Sequence, residues 1–379
     1  MNPLSILRKG GRFLRSALSG SCWYLIFSVT GRCNQRCRMC FNWRKAEDND
    51  QLSIDEIERI APQFTSLFQL TLSGGEPILR DDVVDIVKLF NRARPVPRIT
   101  LPSNGQLPER LEKVVRQLAA ALPESNINVA LSLDGVGSLH DHIRGVPGAF
   151  ERHKESRARL DRLRGEHPNV STVVASVYSS YNKDRFDELL GYIAQQDRPE
   201  IHGIMFARGD TRDAQAKVAS REDFIARMNQ LRGIQLPRAS RFQRAWTSVY
   251  HANRVETMRG RRMVDPCRAG DKLLVIDHKG TLSPCEVMEE EALAGEFNYP
   301  GPYSYGSLRE SGYSVDALLH APRGRALTSF IRRGGCHCTF ECALLNNFPL
   351  NPRNYFRCLS ALLLGGKESP GTAGIKQIR

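Results

Sequence analysis

The sequence predicts an α/β fold: a parallel sheet of six strands with helical crossovers, followed by a smaller α+β unit. Three observations point there. Short apolar runs alternate with helical patterns six times between positions 23 and 206. Polar or glycine-bearing turns follow several of those runs, as loops do at the carboxyl ends of parallel strands. Beyond Cys267 the alternation stops, and a hairpin pattern with clustered cysteines replaces it.

Taken in order, residues 23–29 read as a buried strand. Ser53, with Glu56 three positions on, opens a helix through residue 60 in the manner of a capping box. Residues 69–72 are the second strand, and 81–90 a helix with Val84, Val87 and Leu89 apolar. A third strand at 98–101 leads to a helix that Pro108 opens and that runs to 121. A strand at 127–133, a helix at 150–163, a strand at 170–177, a helix at 186–193 and a strand at 201–206 complete the alternation. Parallel neighbours need crossover connections, and the helices supply them. Residues 209–264 are polar, arginine-rich and helical in pattern, a bridging segment. Residues 273–276, the turn Asp277-His278-Lys279-Gly280 and residues 281–283 read as a β-hairpin, with short helices at 315–320 and 323–331. The expected division is a basic segment over 1–21, a core over 22–208, the bridge over 209–264, a cysteine-bearing unit over 265–362 and a loose tail over 363–379.

Hydrophobic residues at 41% and charged residues at 25% exclude wholesale disorder. No apolar run approaches the roughly 20 residues of a spanning helix, and the first 20 residues lack a secretory pattern, so a cytoplasmic location is expected. A net charge of +13 favours an anionic partner: nucleic acid, a lipid headgroup, phosphate or an acidic sugar. Within residues 1–46 there are nine basic residues and no acidic one, and Leu4, Leu7, Phe13, Leu14 and Leu18 recur at roughly helical spacing. Such a helix either packs on the domain edge or makes peripheral contact with an anionic inner membrane surface.

Ten cysteines without an export signal point to metal or cluster ligation rather than disulfides. Cys33, Cys37 and Cys40 have the spacing C-x3-C-x2-C, just after the first strand. Three thiolates leave one position open: a structural zinc site asks for a fourth ligand, whereas a [4Fe–4S] cluster with one iron free for a small molecule does not. Spacing alone leaves both readings standing. A second group comprises Cys267, Cys285, Cys336, Cys338 and Cys342; Cys22 and Cys358 stand apart and read as buried thiols. Ser73-Gly74-Gly75-Glu76-Pro77 follows the second strand, Ser103-Asn104-Gly105 the third and Ser132-Leu133-Asp134-Gly135 the fourth. His140-Asp141-His142-Ile143-Arg144-Gly145 comes soon after.

With C-x3-C-x2-C, GGEP and the SLDG and HDxIRG runs in that order, residues 22–206 resemble a radical S-adenosylmethionine (SAM) enzyme. The resemblance implies a partial (β/α)6 barrel. It implies that Cys33, Cys37 and Cys40 hold a [4Fe–4S] cluster whose free iron takes the amino and carboxylate groups of SAM. Gly74, Gly75 and Glu76 would then meet the methionyl ammonium, and Ser132 and Arg144 its carboxylate. Asn104 and Asp134 would lie on the ribose side, with Ser103 beside them. The position before the third cysteine, usually aromatic in the family, is Met39, which leaves Phe41 to cover the adenine. Arg32, Arg36, Arg38 and Arg44 surround the loop, either favouring the reduced cluster or simply solvated.

The C-x12-G-x4-C pattern from Cys267 through Gly280 to Cys285 resembles the SPASM/Twitch extensions of radical SAM enzymes. It implies one auxiliary [4Fe–4S] cluster on Cys267, Cys285, Cys338 and Cys342, with Cys336 able to replace either of the last two. A second auxiliary cluster using Cys336 and Cys358, or zinc in place of the first, are the alternatives; His337 is not expected to ligate. The family's chemistry is reductive cleavage of SAM and removal of a hydrogen atom from a substrate C–H bond, with electrons from a donor such as flavodoxin or ferredoxin. The basic balance favours oxidation or epimerisation of an anionic small molecule, a sugar or a lipid-linked group. A ribosomal-peptide or protein maturase is the alternative, disfavoured by the roughly 22 residues ahead of the first strand, too few for a leader-gripping domain. A non-catalytic, zinc-bearing nucleic-acid-binding protein is the remote reading: the charge supports it, and GGEP and SLDG between strands do not.

Overall fold

The computed structural model describes residues 21–217, 220–233, 240–260, 263–293, 297–336, 338 and 340–363. The amphipathic pattern at 4–18, His337 and the tail from 364 lie outside them. The core alternates β1 (Tyr24–Thr30), α1 (Ile54–Ile60), β2 (Gln69–Gly74), α2 (Val83–Arg92), β3 (Arg98–Ser103), α3 (Pro108–Ala121) and β4 (Asn126–Ser132). It continues with α4 (Ser138–Arg144), α5 (Ala149–Glu166), β5 (Val170–Tyr178), α6 (Phe186–Tyr192) and β6 (Ile201–Phe206). Then come α7 (Arg221–Gly233), α8 (Arg241–Gly260), β7 (Leu273–Ile276), β8 (Thr281–Ser283), α9 (Met288–Leu293) and β9 (Gly306–Ser307). The last helices are α10 (Val315–His320), α11 (Pro322–Arg332), α12 (Glu341–Asn347) and α13 (Pro352–Leu363).

The six core strands pair in parallel, in the order expected of consecutive crossovers, β6-β5-β4-β3-β2-β1. Local sequence explains the helices between them. Ser53 Oγ accepts the Glu56 N–H at 3.2 Å while Glu56 Oε2 accepts the Ser53 N–H at 2.8 Å, the reciprocal capping box at the start of α1. Pro108 stands at the first position of α3, where its missing N–H costs nothing. Outward strand residues such as Leu25, Phe27, Leu70, Leu72, Ile99, Leu101, Ile127 and Val129 are buried beneath the helices in one large core.

Two features depart from the simple sequence reading. A further helix, α4, begins two residues ahead of the HDHIRG run and is ended by Gly145 in the left-handed conformation, φ 67°. The C-terminal hairpin does not start a sheet of its own: β7 pairs in parallel with β1, Tyr24 opposite Leu273 to Phe27 opposite Ile276, and β8 and β9 continue the sheet to nine strands. The sheet's edge strands are β6 and β9, and α12 ties the β6 side to the β1 side. Glu341 at its start bonds Arg208, just after β6, and Arg254 of α8. Asn346, near its end, accepts the Trp23 indole N–H beside β1.

Candidate active site

The carboxyl ends of β1–β4 deliver the predicted loops to one place. A cavity of about 210 Å³ is bordered by Cys33, Cys37 and Cys40 and by Gly74, Gly75 and Glu76. Ser103, Asn104, Ser132, Arg144, Met39 and Phe41 border it too. Asp134 does not. It is fully buried behind Arg144, 2.6 Å from its Nη2, and its Oδ1 accepts the Val177 N–H at 2.7 Å. Asp134 thus holds Arg144 in place rather than facing the ribose side implied by the resemblance.

The cysteine loop is built from backbone contacts. Glu76 N–H donates to Arg32 O at 2.8 Å and Gly75 N–H to Thr30 O at 2.9 Å. A Cβ on Gly75 would stand 2.1 Å from Arg32 O, and one on Gly74 2.1 Å from Thr30 O. The two glycines therefore let the GGEP loop lie against the cysteine loop as well as border the cavity. On the other side Arg36 and Arg38 N–H groups bond the last carbonyls of α4, Arg144 and Ile143. Asn104 ties the third strand to the loop: its N–H donates to Glu76 Oε2 at 2.7 Å and its Nδ2 to Asn34 Oδ1 at 2.7 Å.

These contacts leave polar groups facing the cavity. Glu76 is 1% exposed and its Oε1 is buried without a hydrogen-bond partner. Burial raises its carboxyl to about 7. A buried carboxylate oxygen with nothing on it fits an ammonium group. Asn104 Nδ2 lies 3.9 Å from Cys33 Sγ and Arg144 Nη1 3.8 Å from Cys37 Sγ, donors placed beside the sulfurs. Burial pushes the Cys33 thiol up to about 12 and raises Cys37 and Cys40 as well. Coordination to a metal supplies the positive charge that holds such thiols as thiolates at neutral pH. The donor set therefore fits a thiolate-held cluster with SAM beside it.

Two basic residues flanking the loop resolve as ion-paired surface groups: Arg38 lies 3.3 Å from Asp213 and Arg44 2.7 Å from Asp210. Arg32 donates to Leu79 O. Met39 is buried against Ile143 and Ala207, while Phe41 packs on the main core, so the two flank the cavity together. The sequence reading missed the far wall of Phe206, Arg208, Arg212, Phe340 and Glu341. Only the acid between Cys338 and Cys342 hinted at it.

The second cysteine group divides. Cys285 lies within electrostatic reach of Cys338, Cys267 and Cys336. Cys342 instead meets Glu286, Glu341, the Tyr24 hydroxyl and Arg208. Cys267, Cys336 and Cys338 therefore neighbour Cys285, while Cys342, expected in that group, neighbours the Tyr24 hydroxyl. The reason is local: α12 has already begun at Glu341, so its first turn fixes Cys342, whereas Cys336 and Cys338 lie ahead of the helix. Cys358 lies apart, buried with Val249, Tyr250, Leu344 and Phe348, as a plain core thiol would. Among the described residues no three His, Cys, Asp or Glu side chains converge on a single-ion site; a cubane instead offers each thiolate its own iron corner. Among the described residues no helix is long and apolar enough to cross a membrane.

Residues 27–211 match the radical SAM superfamily. A GTP 3',8-cyclase of Mannheimia succiniciproducens is 30% identical over 165 residues, 40% of this chain and 48% of that protein. A pre-heme d1 synthase of Dinoroseobacter shibae is 32% identical over 138 residues, 34% of this chain and 31% of that protein. The chain thus spans less than half the length of these curated relatives. Among solved structures, anSMEcpe with bound AdoMet and a Cp18Cys peptide superposes with a TM-score of 0.56 at 14% identity, over 90% of this chain and 97% of that one. Streptococcus suis SuiB superposes with a TM-score of 0.55 at 14% identity, over 86% and 72%.

Proposed function

We propose, from the match of residues 27–211 to the radical SAM superfamily, that the chain takes a hydrogen atom from a C–H bond of an anionic substrate, to oxidise or epimerise it. The observation that carries the reading is the convergence, on one cavity at the strand ends, of three thiols, the free oxygen of Glu76 and the Asp134-held Arg144.

The superfamily's cofactors are a [4Fe–4S] cluster and SAM, which together supply a 5′-deoxyadenosyl radical by reductive cleavage. In this reading Cys33, Cys37 and Cys40 hold the cluster. Glu76 Oε1 receives the SAM ammonium and Arg144 its carboxylate, with Ser132 beside it. Met39 and Phe41 close the cavity against water, which protects a reactive species from side reactions. Cys267, Cys285, Cys336 and Cys338 form a closed four-thiolate set for one auxiliary cluster, a destination for the substrate's electron when the outcome is oxidation. The relatives named for GTP and for heme favour an anionic small molecule over a peptide.

Anaerobic reconstitution with iron and sulfide tests the reading. Brown protein that forms 5′-deoxyadenosine from SAM under dithionite, and a Cys37→Ala variant that forms none, are expected. A colourless, zinc-replete protein inert toward SAM would sink it. With a substrate in hand, solvent deuterium in the product marks epimerisation and its absence marks oxidation.

A further inference from the structure

The concave face of the sheet runs from the cavity down to the opposite mouth of the barrel. Along β3, β5 and β6, outward residues are buried and inward ones partly exposed in alternation, so water reaches this inner face. Its lining is mostly small or neutral: Ser73, Thr100, Asn128, Ala130 and Ala175 are typical. Of the inward positions on β1–β6, Arg98 alone carries a charge. In register it stands between Gln69 and Asn126, with Tyr24 beyond Gln69, a layer that is polar throughout.

Arg98 has no counter-charge among the described residues. Its Nε is buried without a hydrogen-bond partner, and so is Oγ1 of Thr100, the next inward residue on the same strand. Tyr24 is the one titratable group whose charge bears on it, and burial holds that phenol well above its usual value and therefore neutral. Nearer the cysteine end, Arg144 is paired with Asp134, Arg208 and Arg254 share Glu341, and Arg212 lies over the Trp43 ring. A guanidinium with its Nε out of water and no anion beside it is costly, and its planar fork suits a carboxylate or a phosphate.

We propose that Arg98 and Thr100 form the far end of the substrate trough and take an anionic terminus, phosphate or carboxylate, of a substrate whose reacting C–H bond lies at the cysteine end. The inference rests on the function proposed above and adds a length requirement to it. Arg98 precedes Ser103 by five residues, roughly 16 Å of strand, so the pair selects elongated substrates and holds them in register with the cavity.

The test uses the full-length, reconstituted chain saturated with SAM and titrated anaerobically with inorganic pyrophosphate and, separately, with succinate. One saturable site for either probe is expected, and the probe that binds tells phosphate from carboxylate. Arg98→Met should weaken that site by about tenfold or more, Arg98→Lys by less, with SAM affinity unchanged in both. Removing an unpaired, partly buried charge should leave the melting temperature of Arg98→Met at or above wild type. Equal probe affinity in Arg98→Met, no binding of either probe to the wild type, or a lower melting temperature with unaltered binding would each overturn the proposal. SAM cleavage without substrate is measured in parallel: its failure defeats the proposed function, whereas intact cleavage with probe binding insensitive to Arg98 defeats this subsite alone.

Discussion

Single residues carry the chemistry, and Glu76 shows how. Its carboxyl is raised from 4.5 to about 7, chiefly by burial. The unfolded chain therefore gives up that proton before the fold does, and the free protein loses stability as pH rises from 4.5 through 7. An ammonium ligand selects the ionised form, so SAM affinity should climb by up to about tenfold per pH unit below 7 and level off above it. Glu76→Gln should bind SAM weakly and without that slope; a wild-type pH profile in the variant would remove Glu76 from the ammonium site. The cysteines offer a second residue-level check. Cys336→Ala should lose about four irons per chain on reconstitution, and Cys342→Ala should keep them. The reverse result would restore Cys342 to the ligand set.

At the scale of elements, α12 is the piece that ties the β6 side of the sheet to the β1 side. Glu341 neutralises two buried guanidiniums at once, Arg208 at 3.0 Å and Arg254 at 2.6 Å. Breaking a buried ion pair by removing one partner costs about 3–5 kcal/mol. Glu341→Ala should therefore lower the melting temperature markedly and loosen the wall formed by Phe340 and Arg208; a melt like that of the wild type would show that water reaches those charges. The strands and most core helices were legible because they announce themselves locally. Pro108 at the head of α3, Ser53 and Glu56 at the head of α1 and the apolar face of α2 need no distant partner to be recognised. By contrast α4 is short and mostly polar, and it is held by the cysteine loop's N–H groups on its last carbonyls, contacts that no local pattern reveals.

For the whole molecule, the join between β1 and β7 decides whether the cysteine-bearing C-terminal part is a separable unit. Tyr24–Phe27 pair with Leu273–Ile276, and all four residues of β7 are buried. A chain ending at residue 264 would leave an apolar strand edge open, a template for aggregation. It should be insoluble or lack a cooperative melt; a soluble, cooperatively melting fragment would make 265–362 an independent domain. Spacing and order along the chain were enough to specify the parallel α/β core, the three-thiol loop and the loops that meet it, because each depends on neighbours a few residues away. Which thiols of the second group neighbour Cys285, that Asp134 serves Arg144, that the hairpin extends the main sheet and that Arg98 stands without a counter-charge depend on contacts between segments far apart in sequence. Burial sets the energy of each of those contacts, and burial exists only once the chain has closed upon itself.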